Sequence, residues 1–262
     1  MTDADSAWFH HSGTTVNPDL RLVCFPHAGG TPNSFRGWAQ RLPAGTGVLA
    51  VCYPGRHKRL ADPLVHGMED MADRISEALL PYADTPLAFF GHSMGAGIAY
   101  EVALRLEQRA GVRPLRLFVS AFRAPHVRVA SDAPADDSTL VEELRALGSS
   151  SMAALDHPDV LRLVLPTLRA DMGLVAAYGS RPADRVGCPL VAYAGDQDRG
   201  CGPDTMRAWS QLTAARFEQR TFAGGHFYLE PREAELLADL SGHIGDDLRL
   251  WHALAATGGG RG

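Results

Sequence analysis

Short, nearly unbroken apolar runs alternate along the chain with stretches whose apolar positions recur every three or four residues. The runs at Leu20–Phe25, Gly47–Tyr53, Pro86–Phe90, Leu115–Ser120, Pro189–Ala194 and Phe217–Phe222 predict β-strands. Most lack the in/out alternation of a half-exposed sheet, which is the pattern of parallel strands covered on both faces. The intervening spacing predicts helices over Ser34–Arg41, Glu69–Tyr82, Gly95–Gln108, Pro203–Leu212 and Pro231–Leu248. In the third of these, Ile98, Val102, Leu104 and Leu106 form a face able to pack on a sheet. Strand–helix alternation of this kind implies an α/β architecture, a doubly wound and mostly parallel central sheet flanked by helices.

One segment departs from the rhythm. Between Phe122 and Val186 no strand is predicted. Ser131–Ser138, rich in Asp, Ala and Pro, reads as a loop, and Leu140–Leu147 as a short helix. Leu161, Val164, Leu165, Leu168 and Met172 recur at helical spacing, with Pro166 expected to kink that helix. The segment is too long for a plain loop, so residues 124–185 are expected to be a helical lid inserted over the ends of the strands. The rest of 1–254 reads as a single domain, and the Gly-rich end, Ala255–Gly262, as a disordered tail.

At 262 residues the chain can bury a substantial core. Its formal net charge of −5 argues against a nucleic-acid partner, which would require a basic face. Residues 1–11 lack the basic-then-apolar pattern of a signal peptide, and no apolar run is long enough to cross a bilayer. The expectation is a soluble cytoplasmic protein, with monomer as the default because no oligomerisation signal stands out. Cys24, Cys52 and Cys188 fall in or beside apolar strand-like runs and read as buried thiols, and with Cys201 they show no metal-ligand spacing. No metal is expected.

The strongest chemical signal is Gly91-His92-Ser93-Met94-Gly95, which follows the apolar run Leu87-Ala88-Phe89-Phe90 and precedes a helix. G-x-S-x-G between strand and helix is the nucleophile elbow: its glycines permit a tight turn that lifts the Ser93 hydroxyl clear of the sheet. Serine needs a base to take its proton. Gly224-Gly225-His226, beyond the last predicted strand, is placed to supply one. The acid should follow the penultimate strand, where Gly195-Asp196-Gln197-Asp198 offers two aspartates. Asp198 lies further into the loop and is favoured to reach the imidazole, with Asp196 bracing the turn. The order Ser–Asp–His is that of α/β-hydrolases. A tetrahedral oxyanion needs two backbone donors. Met94, after the nucleophile, should supply one, and Ala28, in Pro26-His27-Ala28-Gly29-Gly30 after the first predicted strand, the other. His27 is expected to shape that loop. The run Arg56-His57-Lys58-Arg59 lies at the same sheet edge, where Arg56, Lys58 and Arg59 would rim the mouth and could meet a phosphate.

Together these residues resemble the stand-alone type II thioesterases of polyketide and non-ribosomal peptide assembly lines, over nearly the whole chain. The resemblance rests on Trp8-Phe9, Phe25-Pro26-His27-Ala28-Gly29-Gly30, Tyr53-Pro54-Gly55-Arg56, Phe90-Gly91-His92-Ser93-Met94-Gly95-Ala96, Leu165-Pro166-Thr167-Leu168-Arg169-Ala170-Asp171, Ala194-Gly195-Asp196-Gln197-Asp198 and Gly224-Gly225-His226-Phe227-Tyr228-Leu229. It implies an α/β-hydrolase fold with a helical lid, a triad of Ser93, Asp198 and His226, and oxyanion donors Ala28 and Met94. It also implies an editing role: hydrolysis of stalled or aberrant acyl groups from the phosphopantetheine thiol of acyl or peptidyl carrier proteins, with no cofactor of its own. A medium- or long-chain fatty acyl-carrier-protein hydrolase would carry the same motifs. A catalytically silent binding subunit of a synthase would be expected to lack a triad member, and none is missing here.

Overall fold

A computed structural model of the chain describes residues 7–12, 17–131, 136–149 and 155–258. Seven strands form one sheet: β1 (Phe9–Ser12), β2 (Leu20–Phe25), β3 (Thr46–Val51), β4 (Leu87–His92), β5 (Arg116–Ser120), β6 (Leu190–Gly195) and β7 (Phe217–Phe222), in the spatial order β1-β3-β2-β4-β5-β6-β7. Only β1 runs antiparallel, pairing Phe9 with Val51; the other pairs are parallel, with Val23 opposite Phe89 and Phe90 opposite Phe118. The helices are α1 (Met68–Leu79), α2 (Met94–Arg105), α3 (Asp137–Ala146), α4 (Pro158–Ala177), the single turn α5 (Pro203–Met206) and α6 (Glu233–Gly258).

The apolar strand runs have a direct structural reason. Val23, Phe25, Phe89, Leu117, Val119 and Ala192 face one core, shared with Met71 and Ile75 of α1 and Ile98 and Val102 of α2. Their neighbours Leu22, Cys24, Ala88, Phe90, Phe118 and Val191 face a second core, shared with Trp38 and with Leu236, Leu240 and Ile244 of α6. Successive side chains point to opposite faces, and both faces are dry, so both positions must be apolar. In α1 the buried positions Met68, Met71, Ala72, Ile75 and Leu79 recur at helical spacing, while Glu69 and Asp70 sit in the first turn where they complement the helix dipole.

Four expectations need correction. β1 was not predicted: it is a short edge strand whose His10 and His11 break the apolar pattern, and its pairing comes from β3. Ser34–Arg41 is not one helix but two short 3₁₀ turns, Pro32–Phe35 and Trp38–Gln40, divided by Gly37 at φ +85°. The final helix extends beyond Leu248, so Ala255–Gly258, assigned to the tail, are helical; alanine is the best helix former. Residues 259–262 lie outside the described residues. Within the loop expected at Ser131–Ser138, helix α3 already begins at Asp137, after Asp136 accepts from the Thr139 N–H at 2.8 Å as its N-cap.

Among the described residues no strand lies between Ser120 and Leu190; Val186 makes only an isolated bridge to Thr213. The segment holds a 3₁₀ turn at Pro125–Val127, α3 and the long α4, which continues past Pro166. Leu140 and Leu144 of α3 cluster with Leu168 of α4. The loops after β2, β4, β5, β6 and β7 line the site together with these two helices. No helix among the described residues is long and apolar enough to cross a membrane.

Candidate active site

The chain turns sharply at the end of β4. Ser93 has φ +53° and ψ −126°, a conformation disfavoured for a residue with a side chain, and α2 begins immediately after it. The turn needs small neighbours: a Cβ at Gly95 would fall 2.1 Å from the Phe25 carbonyl oxygen of the adjacent strand. The Ser93 N–H donates to the Ser120 carbonyl oxygen at 2.8 Å, tying the elbow to the end of β5. A strained residue held this firmly by its surroundings is a mark of a functional position.

His226 and Asp198 arrive from the loops after β7 and β6. His226 Nε2 lies 2.9 Å from Ser93 Oγ, and His226 Nδ1 lies 2.7 Å from Asp198 Oδ2. Asp198 Oδ1 accepts the N–H groups of Gly200 and Cys201 at 2.9 and 3.0 Å. Burial works against the Asp198 carboxylate, but the hydrogen bond from His226, the imidazole's charge and these two N–H groups outweigh it, and its pKa lies below the usual 3.8. Asp196 points elsewhere: its Oδ1 accepts the Gly224 N–H at 2.8 Å and so braces the loop that carries His226. The two competing aspartates are thus separated by geometry.

Ala28 lines the same cavity as Ser93 and His226, and Met94 opens α2 directly behind the nucleophile. Among the described residues neither the Ala28 nor the Met94 N–H has a hydrogen-bond partner. The cavity is about 180 Å³, walled by Phe122, by Leu144 and Leu147 from the region of α3, by Met172 and Val175 of α4, and by Cys201. Asp198, Cys201 and His226 place possible metal-ligand atoms within 4.8 Å of one another, but the carboxylate and imidazole are already bonded to each other.

The basic run does not do what its position in the sequence implied. Arg56 is 5% exposed and forms a bidentate ion pair with Asp171 of α4, at 2.7 and 2.8 Å. Arg59 is buried, bonds Asp62 at 2.7 Å and lies over the Trp8 ring. Lys58 Nζ donates to the Phe9 carbonyl oxygen at 2.9 Å. Arg56 and Arg59 are buried in the fold, Lys58 stays exposed while bonding a backbone oxygen, and none of the three is among the described residues lining the Ser93 cavity. Their long side chains fold back because backbone oxygens, the acids Asp171 and Asp62 and an aromatic face lie within reach, and sequence spacing carries no such information.

Behind the site lies a buried chain that sequence reasoning missed. His92 Nδ1 is 2.9 Å from Ser120 Oγ, which is 2.7 Å from the Tyr228 hydroxyl. This links the strand bearing Ser93, through the end of β5, to the loop bearing His226. The only signal in the sequence was placement: His92 precedes the nucleophile and Tyr228 follows the base by two positions. Burial, reinforced by His226 and His27, pushes the His92 pKa well below 6.5. Burial and His226 push His27 down to about 4, against the opposing pull of Glu230 and Asp171. Both rings are neutral in the folded protein near neutral pH, and both would protonate near 6.5 once unfolded. As pH falls from 6.5 toward 4 the unfolded chain therefore binds protons that the folded one refuses. Stability should drop by up to about 1.4 kcal/mol per pH unit for each group. The expected result is a Tm that declines across this window and declines less steeply in His92→Gln; equal slopes would remove His92 from the account.

The chain is similar to known proteins. The Thioesterase domain family profile matches residues 20–244. The chain is 39% identical over 241 residues to thioesterase PikA5 of Streptomyces venezuelae, covering 90% of this chain and 85% of that one. It resembles the structure of RedJ, a thioesterase from the prodiginine biosynthetic pathway in Streptomyces coelicolor, with 37% identity, a TM-score of 0.80, and coverage of 88% and 90% of the two chains. It also resembles the type II thioesterase BorB from the borrelidin biosynthetic cluster, with 34% identity, a TM-score of 0.83, and coverage of 91% and 98%. A parallel sheet with a serine elbow defines an α/β-hydrolase. Within that class, the chain belongs to the thioesterase domain family and is a hydrolase acting on thioesters.

Proposed function

We propose that this enzyme releases short acyl groups from the phosphopantetheine thiol of acyl or peptidyl carrier proteins, in the manner of an editing thioesterase. The observation that carries the reading is the Ser93–His226–Asp198 geometry at the mouth of a small apolar cavity. The relatives' assembly-line settings support the choice of a carrier protein as the acyl donor.

Ser93 Oγ attacks the thioester carbonyl while His226 Nε2 takes its proton, and Asp198 holds Nδ1–H and steadies the imidazolium. The oxyanion develops against the N–H groups of Ala28 and Met94, which are free to receive it. The C–S bond breaks and the pantetheine sulfur leaves, taking the proton from His226 Nε2 to become the free thiol. A thiol pKa of about 8.5 makes it a far better leaving group than an alcohol, so the proton on His226 is needed less urgently. Water, deprotonated by His226, then cleaves the acyl-serine ester and restores Ser93. No step calls for a metal or cofactor. Within the lid expected at 124–185, the described helices α3 and α4 form the apolar wall over the acyl group.

Cavity size sets the expected chain length. An apolar cavity of about 150 Å³ holds a molecule the size of benzene; one of about 180 Å³ suits acyl groups of similar bulk. With acyl-carrier proteins followed by intact mass, acetyl to hexanoyl groups should be released at least roughly tenfold faster than dodecanoyl or longer groups, the difference expected from a few misfit methylenes. Faster release of long chains would favour the fatty acyl-carrier-protein hydrolase instead. Hydrolysis of simple esters without turnover of any acyl-carrier protein would reject the carrier-protein reading.

A further inference from the structure

The buried Arg56–Asp171 pair has no part in the chemistry described above, yet it touches the loop that the chemistry depends on. Asp171 Oδ2, on α4, accepts the Gly29 N–H at 2.7 Å as well as Arg56 Nη1 at 2.7 Å; its Oδ1 accepts Arg56 Nη2 at 2.8 Å. Arg56 Nη1 also reaches the Gly30 carbonyl oxygen at 3.3 Å. Tyr53, whose ring lies beside the Arg56 guanidinium, donates from its hydroxyl to the Pro26 carbonyl oxygen at 3.1 Å. The segment Pro26–Gly30 is therefore gripped on both sides of Ala28. The wall helix is seated closely on it: Gly29 has φ +73°, and a Cβ there would fall 2.3 Å from Leu168 of α4.

We propose that Asp171, supported by Arg56, is a positioning residue that aims the Ala28 N–H at the oxyanion and makes that aim depend on α4 being seated. This rests on the reading of Ala28 as an oxyanion donor. The physical case is local. Ala28 has no side chain long enough to anchor its own peptide, and the loop is fixed instead by what binds Gly29 and Gly30. The anchor is charged and almost wholly excluded from water, with Asp171 2% exposed, so the loop's N–H meets a full carboxylate. An α4 that lifts to admit substrate carries Asp171 off Gly29 and loosens the donor. Its return over a bound acyl group restores both. Hydrolysis is thereby confined to the closed cavity.

Asp171→Asn tests this. Displacing a donor by about an ångström, without removing it, should lower kcat by roughly 10- to 100-fold with KM within about threefold. The second-order rate of Ser93 labelling by a fluorophosphonate, which also develops charge on oxygen, should fall in step. Thr167→Val is the control for general weakening of the helix: it removes the bond from Thr167 Oγ to the Gly55 carbonyl oxygen at 2.9 Å but leaves in place the Asp171 contacts to Gly29 and Arg56 that seat α4 on the loop. It should leave kcat within about twofold while moving Tm. Equal losses of kcat in the two variants, or an unchanged kcat or a change in KM alone in Asp171→Asn, would overturn the proposal. If Asp171→Asn does not fold, Arg56→Lys, which keeps the charge and loses the fork, should lower kcat about 3- to 10-fold by the same route, and an unchanged kcat there would overturn it equally. An ester in place of the Ala28 amide, introduced by incorporating lactic acid at that position, separates the two ideas. Full activity of the ester would reject Ala28 as a donor; a slow ester beside a fully active Asp171→Asn would reject only the positioning role.

Discussion

Ser93→Ala is expected to lower turnover of a short acyl-carrier protein by a factor on the order of 10⁴ or more, without loss of the fold. The size follows from the site. The hydroxyl lies 2.9 Å from His226 Nε2, and the elbow presents it by a backbone twist at φ +53° that the neighbouring glycines make room for. Alanine keeps the turn and removes the nucleophile. What remains is the cavity and the proposed oxyanion donors Ala28 and Met94, which would alone still accelerate attack by water. Intact-mass kinetics would measure the loss, fluorophosphonate labelling should disappear, and Tm should stay within a few degrees because, among the described residues, the Ser93 side chain bonds only His226. Retention of more than about a hundredth of the wild-type rate would mean that another group attacks the thioester.

The second large effect separates two aspartates two residues apart. Asp198→Asn should lower kcat by about 10⁴, as expected when the acid of such a triad loses its charge and the imidazole adopts the wrong tautomer. An amide at this position would set a donor against His226 Nδ1, where a carboxylate oxygen now sits at 2.7 Å. Asp196→Asn should cost no more than a few fold, because the amide oxygen can still accept the Gly224 N–H that Asp196 holds at 2.8 Å. The pH dependence is consistent in sign. The Asp198 carboxylate lies below 3.8, so its contribution is present above that value and is lost only as pH falls through its lowered folded pKa. Any loss of stability nearer pH 6 belongs to the buried histidines. If the two variants lost activity equally, the geometry assigned to Asp198 would have to be abandoned.

Much of this protein was written in local pattern. Apolar runs marked β2 to β6, five of the seven strands, because both faces of the sheet are covered there, and that burial leaves no choice of residue at Val23 or Cys24 alike, while the more polar β7 lies at the sheet's edge. G-x-S-x-G, the glycine-rich turn before His226, and the aspartates after β6 marked the segments that bring Ser93, His226 and Asp198 within hydrogen-bond distance, because tight turns restrict which residues can present a side chain there. Sequence alone also carried the family, through motifs longer than the elbow. It failed at β1, where a polar edge strand is held by its partner and not by its own pattern, and at Gly37, where one positive φ split an expected helix.

Other features belong to the tertiary structure. Arg56 and Asp171 are 115 positions apart and meet only because the loop after β3 and helix α4 close on the same edge. No spacing rule connects them, and a run of basic residues looks like a solvent-facing patch until the groups it pairs with are folded against it. The same is true of His92, Ser120 and Tyr228, which come from three separate elements. Local sequence determines where the backbone must turn and which faces must be dry, because those are constraints each residue meets with its neighbours. Which charges are buried, which carboxylate reaches the imidazole, and how large a cavity remains above Ser93 depend on distances between elements, and only the packed chain sets them.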